Sequence, residues 1–138
     1  MRYPTLAASP QPPFDIISFS PPGVSILNNM MLARLHKGPS AMTYVWFYSQ
    51  VRGHGPWDYK NQSGKQYANF GNFNYGAVGH AAGITEAVLL RAAGWAQSRA
   101  GTSNIEFGSW YGSSPFGDDP EDQYWIRAGI EYAKRSGF

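Results

Sequence analysis

Cysteine is absent from the 138 residues, which removes disulfides and every thiolate-based site at once. No apolar run approaches the ~20 residues needed to span a bilayer. The opening "MRYPTLAASPQPPF" has one arginine and no apolar stretch of the kind a signal peptide carries. Charge is scarce, at 14% of residues, and its 11 basic and 9 acidic side chains leave a net +2. The basic residues are scattered singly, without the stripe expected of a non-specific nucleic-acid binder. There is no G-x-S-x-G, and no GK[ST] follows a glycine-rich turn. None of the three histidines has a partner at i, i+4, so a helix-borne zinc site is not expected.

What is abundant is rings, at 16% of residues, and glycine. Aromatic richness with little charge suits stacking on flat ligand faces, and it equally suits a small core filled by rings. Pro4, Pro10, Pro12, Pro13, Pro21 and Pro22 crowd the first 22 residues, which read as an extended arm or linker to a parent polypeptide. Residues 23–138 are long enough for one domain with a core of its own.

The periodicity predicts a mostly α domain of about five helices with long loops rich in glycine and aromatics, for which a lysozyme-like arrangement is one architecture. In "VSILNNMMLARLHKG", Leu27, Met30, Met31 and Leu35 recur at helical spacing, and Gly38 suits a left-handed stop. Ser40 is placed to cap "AMTYVWFYSQV", with Val45, Tyr48 and Val51 on one face. "RGHGPWDYKNQSGKQ" and "FGNFNYG" read as loop, with a short helix from Asn74 to Gly83. Thr85 then caps a longer helix with Ile84, Val88, Ala92 and Trp95 as its buried stripe. "TSNIEFGSWYGSSPFG" reads as a mobile, ligand-contacting loop. The last helix has Asp119 as N-cap, Pro120 in the first turn, Ile126, Gly129, Ile130 and Ala133 facing inward, and Gly137 as stop.

With nucleophile motifs missing, carboxylates are the remaining route to chemistry. Two of them facing one cleft suffice for glycoside hydrolysis, one protonated and one ionised. Asp58 in "PWDYK" is flanked by Trp57 and Tyr59, which can desolvate it or stack on a sugar ring, with Lys60 as a charge partner. Its structural alternative is a loop salt bridge to Lys60. Asp119 and Asp122 fit a capping box, whereas Asp118 has no such structural duty. Among the histidines, His36 suits a helix C-terminus, and His54 and His80 are weak acid–base candidates. Small neighbours around His80 favour close helix packing over catalysis.

At "PWDYK", "FGNFNYGA", "RAAGWAQ" and "FGDDPEDQYWIRAGIEY" the chain resembles the bacterial toxin 44 family, also called polymorphic toxin type 44, over about residues 23–132. The resemblance implies a toxin domain at the tip of a large secreted protein, such as an Rhs-repeat or type VI secretion effector used in interbacterial competition. It further implies a cognate immunity protein in the producer. The family's pattern stresses Trp57 to Lys60, Gly71 to Gly76, and Gly117-Asp118 with Asp122, and lays no stress on a histidine at His80.

Two functions follow. The first is a hydrolase of peptidoglycan glycan strands, acting in the periplasm of the target. Asp58, Asp118 and Asp122 would serve as acid and base, with Lys60 beside them. Asn72 and Asn74 would hold hydroxyl or acetamido groups, and Trp57, Tyr75 and Trp110 would offer stacking faces. The second is a metal-independent ribonuclease acting in the cytoplasm, with Lys60 stabilising the phosphorane-like transition state and His54 or His80 moving the proton. A pore former ranks below both. No cofactor is expected, although Asp118, Asp119 and Asp122 have the chemistry to hold Mg²⁺ or Ca²⁺.

Overall fold

A computed structural model describes residues 15–99, 101 and 107–138. They form seven α-helices: α1 (Ile16–Phe19), α2 (Ile26–Leu35), α3 (Ala41–Val51), α4 (Tyr59–Gln62), α5 (Ala68–Ala81), α6 (Glu86–Arg99) and α7 (Pro120–Arg135). A single 3₁₀ turn, Lys65–Tyr67, links α4 to α5, and no strand occurs among the described residues. The chain is mostly α, as expected. Five of its helices exceed two turns, and α1 and α4 are single turns.

The central helix is α5, which packs against α2, α6 and, most extensively, α7. It departs from expectation: "FGNFNYG" is helix, not loop, and α5 begins six residues before Asn74. Glycine and asparagine lower intrinsic helix propensity, but burial of Phe70, Phe73, Ala77, Val78 and Ala81 along one face overrides it. Gly76 and Gly129 explain the closeness of α5 and α7. A Cβ on Gly76 would lie 2.0 Å from the Ile126 carbonyl oxygen, and one on Gly129 would lie 1.9 Å from that of Phe73. At the end of α5, Gly83 adopts φ +85°. Its N–H bonds to the His80 carbonyl and that of Ile84 to Gly79, closing a Schellman motif.

Helix α7 follows its cap, inward-face and stop signals, though not the capping box expected of Asp122. Asp119 accepts from the Glu121 N–H at 2.8 Å, the expected inward residues are buried, and Gly137 closes the far end with φ +86°. Replacing Asp119 by alanine removes the cap and is expected to cost about 1 kcal/mol, readable as a shift in urea midpoint at unchanged slope.

The N-terminal helices correct the expected faces. Ser40 caps α3 as expected and Ser25 caps α2, yet α2 buries Ile26, Met30 and Ala33, not Leu27, Met31 and Leu35. Similarly α3 buries Thr43 and Phe47, while Val45 and Tyr48 face outward. Gly38 is not left-handed. The turn is closed instead by Thr43 Oγ1, which donates to the His36 carbonyl at 2.7 Å, and by the His36 ring stacked on Trp46 at 3.8 Å. On α6, Val88, Ala92 and Trp95 are exposed, and Leu89, Leu90 and Gly94 are buried in their place.

Most rings go to the core. Phe19 meets Phe70 and Phe73 edge-on at 5.6 and 5.3 Å, which seats residues 15–22 of the expected arm against the domain. Residues 1–14 of that arm lie outside the described residues, as do 102–106 of the glycine-aromatic loop. The remainder of that loop is pinned to α6. Arg91 donates to the carbonyls of Trp110 and Gly112 at 3.0 and 2.8 Å, and Gly94 admits the Phe116 carbonyl where a Cβ would lie 1.7 Å from it.

Candidate functional site

Helical period decides which side chains of α5 face the core and which face outward. Ala68, Gly71, Asn72 and Tyr75 stand at i, i+3, i+4 and i+7, on one stripe opposite the buried phenylalanines. That stripe forms one wall of a cleft of about 430 Å³. Ala93, Ala96 and Gln97 of α6 form a second wall by the same spacing. Trp57, Asp58, Tyr59 and Lys60, where the chain enters α4, and Asp118 and Asp122 at the start of α7 also line it. Val51 completes the lining. The volume lies within the range typical of small-molecule sites.

Three carboxylates therefore share this cleft. Asp58 accepts at Oδ2 from the His54 N–H at 2.7 Å and from the Asn61 amide at 2.6 Å. These two donors fix its orientation, and the anticipated salt bridge to Lys60 does not form. Asp118 is 3% exposed. Its Oδ2 accepts from Gln123 Nε2 at 2.7 Å and its Oδ1 from the Asp119 N–H at 2.9 Å. Burial pushes the Asp118 carboxyl up from the usual range, against the pull of those two hydrogen bonds.

Asp122 is the most perturbed of the three. A capping-box residue would accept from the N-cap N–H, but the Asp119 N–H is already taken by Asp118 and by Gln97 Oε1 at 3.2 Å. Asp122 instead lines the cleft. Burial, and then the negative charges of Asp118, Asp119 and Glu121, raise its carboxyl to about 7, with Lys60 pulling the other way.

Other sequence candidates fall elsewhere. Asn74 is fully buried on the core side of α5, with its Oδ1 accepting from Asn29 at 2.9 Å, because the helical register turns it away from the Asn72 stripe. Trp110 is exposed on the loop clamped by Arg91 and is not part of the lining. His54 has φ 64° and meets Asp58 through its backbone. His80 borders a separate cavity with Lys37, Glu86 and Lys134. Tyr75 lines the cleft with its ring while its hydroxyl donates to the Leu89 carbonyl at 2.6 Å, and burial raises that hydroxyl's pKa.

Sequence reasoning missed Gln97 and Gln123. Gln123 had a readable signal: it lies three residues before Ile126, a polar side chain on an otherwise apolar inward stripe. Gln97 had none, since it was hidden beside the stripe wrongly assigned to α6. As for a metal, no group of three or more His, Cys, Asp or Glu side chains is gathered to hold an ion among the described residues. Asp119 spends its carboxylate on the helix cap.

Every residue of the lining except Val51 lies in the segment from Trp57 to Arg135. No curated protein and no solved structure matches the chain. The family model for bacterial toxin 44 matches residues 57–135, more than half of the chain and nearly the whole of the cleft, and the chain belongs to that family.

Proposed function

We propose that this toxin domain is an antibacterial effector that hydrolyses the glycan strands of peptidoglycan. The observation that carries the reading is one cleft lined by Asp58, Asp118 and Asp122 in which the Asp122 carboxyl is raised to about 7. A carboxyl protonated near neutrality can deliver its proton to a glycosidic oxygen as the bond to the anomeric carbon breaks. Asp58, in the same lining, takes the proton of the water that adds to that carbon, or adds to it directly; the anomer of the product distinguishes the two. Burial first, and then the charge of Asp118, hold the Asp122 carboxyl up. Trp57 and Tyr75 offer stacking surface, and Asn72 a donor and an acceptor for hydroxyl or acetamido groups.

Electrostatics favour this substrate over RNA. Lys60 is the single basic residue in the lining, against three acids, a balance that repels a polyanion and tolerates a neutral glycan. The ribonuclease alternative also loses its proton carriers, since neither His54 nor His80 lines the cleft. Membership of a toxin family implies an immunity partner in general. Delivery as the tip of an Rhs or type VI secretion polypeptide, and action in the target periplasm, belong to the proposal.

The test is zymography on purified cell wall with EDTA present, accompanied by incubation with total RNA. The expected result is clearing of the wall with release of reducing ends, insensitive to the chelator, and intact RNA. Degraded RNA without wall clearing would replace this reading with the ribonuclease, and clearing lost in EDTA would bring back a cation at Asp118 and Asp122.

A further inference from the structure

Gln123 is a polar side chain buried on α7, 2% exposed, and it is not part of the cleft lining. Its Nε2 donates to two acceptors, Asp118 Oδ2 at 2.7 Å and the Leu90 carbonyl at 3.3 Å. Its Oε1 is buried without a partner among the described residues. Turning the amide over would not relieve that oxygen, because it would then face a carboxylate and a carbonyl, neither of which donates. Only a protonated Asp118 could donate to it, and the Leu90 carbonyl would then lose its donor. The amide is therefore set for an ionised Asp118. A buried acceptor left unpaired costs stability, and what the fold keeps in exchange is a donor aimed at this carboxylate.

The other oxygen of Asp118 is held in the same way, since Oδ1 accepts from the Asp119 N–H at 2.9 Å. Two N–H donors on one carboxylate favour its charged form. Asp122, four residues on, lines the same cleft, but no hydrogen bond holds its carboxylate among the described residues. Lys60 favours its charge, and Asp118, Asp119 and Glu121 oppose it. The other titratable groups of the lining are engaged elsewhere. Asp58 accepts from the His54 N–H and the Asn61 amide, the Tyr59 hydroxyl accepts from Asn29, and the Tyr75 hydroxyl donates to the Leu89 carbonyl. Two neighbouring carboxyls titrate as a pair, and the one better supplied with donors gives up its proton to the other.

We propose that Gln123 is a positioning residue that seats the proton shared by Asp118 and Asp122 on Asp122. The proposal deepens the reading of Asp122 as the acid and rests on it for its effect on hydrolysis, but not for its effect on the two carboxyls. Removing the amide destabilises every state with an ionised Asp118 alike. The balance between protonated and ionised Asp122, with Asp118 ionised, then stays as it was. The state with the proton on Asp118 gains against both.

The test is carboxyl-carbon NMR of the full chain, with assignments from Asp118→Asn and Asp122→Asn. In the wild type the titration near pH about 7 should appear at Asp122 Cγ, with little of it at Asp118. Gln123→Met keeps the length of the side chain, removes the donor and should leave circular dichroism unchanged; Gln123→Leu serves if it does not fold. In either variant at least about half of that titration should pass to Asp118. With Asp118→Asn already present, the Gln123 substitution should leave the Asp122 titration where it was. In wall hydrolysis, kcat/KM of the variant should fall about threefold or more near pH ~6 and rejoin the wild type at alkaline pH. A wild-type titration centred on Asp118, no transfer to Asp118 in the variant, an Asp122 titration that still moves beside Asp118→Asn, or a loss of kcat/KM uniform across pH would each overturn the proposal. A chain that clears no wall but shows these carboxyl titrations would strike the peptidoglycan reading and support this one.

Discussion

Replacing Asp122 by asparagine is expected to lower wall hydrolysis by about a hundredfold to ten-thousandfold, the range for loss of a general acid, and to make the protein more stable at neutral pH. The two effects share one cause. Asparagine keeps the shape of the side chain and removes the transferable proton. It also removes a charge that the fold holds unfavourably, since the Asp122 carboxyl is raised from 3.8 to about 7. A carboxyl bound more tightly to its proton in the folded state than in the unfolded one lowers stability as pH climbs from about 4 to about 7, after which its effect is constant. The stability gain of Asp122→Asn should therefore be full above pH 7 and vanish below pH 4. In the wild type, kcat/KM should fall as pH rises through about 7, where the acid loses its proton. Reducing-end assays across pH and urea titrations at pH 4 and 8 read both. A variant that loses stability along with activity would return Asp122 to a structural role at the start of α7, and unchanged activity would remove it from the mechanism.

How far the cleft could be read from sequence differs residue by residue. Trp57, Asp58, Lys60, Asn72, Tyr75, Asp118 and Asp122 are all candidates on sequence grounds, and all line it. They are the residue types that carry chemistry, and two short segments and a helix start hold them. Asn74 is a candidate on the same grounds and lies in the core. Its neighbourhood read as loop because of its glycines and asparagines, and a loop gives no reason to separate Asn72 from Asn74. As a helix it does, because two residues along α5 is a rotation of about 200°. Helix α7 was legible to its ends because caps are local: Asp119, Pro120 and Gly137 act on atoms a few residues away. The stripes of α2 and α3 were legible as apolar but not as outward. Period records that one face avoids water and says nothing of what covers it.

Glycine at the α5–α7 crossing leads to the largest stability effect expected outside the cleft, and its sign should depend on position within one helix. Gly76→Ala or Gly129→Ala would gain about 1 kcal/mol of helix propensity if the sites were open. They are closed by backbone: the added carbon would fall 2.0 Å from the Ile126 carbonyl oxygen in one case and 1.9 Å from that of Phe73 in the other. A carbonyl cannot rotate aside as a side chain can, so α5 and α7 must separate and loosen the Phe73, Ile126 and Ile130 packing between them. Overpacking of this kind costs typically 1–3 kcal/mol and occasionally more, and a backbone obstacle puts both variants at about 3 kcal/mol net destabilisation or beyond. Gly71→Ala supplies the contrast. It belongs to the same α5, but its nearest neighbour would be the Tyr59 Cβ at 4.0 Å, an ordinary contact. That variant should be neutral to about 1 kcal/mol more stable. Urea midpoints for the three variants measured side by side decide it: if Gly76→Ala and Gly71→Ala unfold together, the close approach of α5 and α7 is not what those glycines provide.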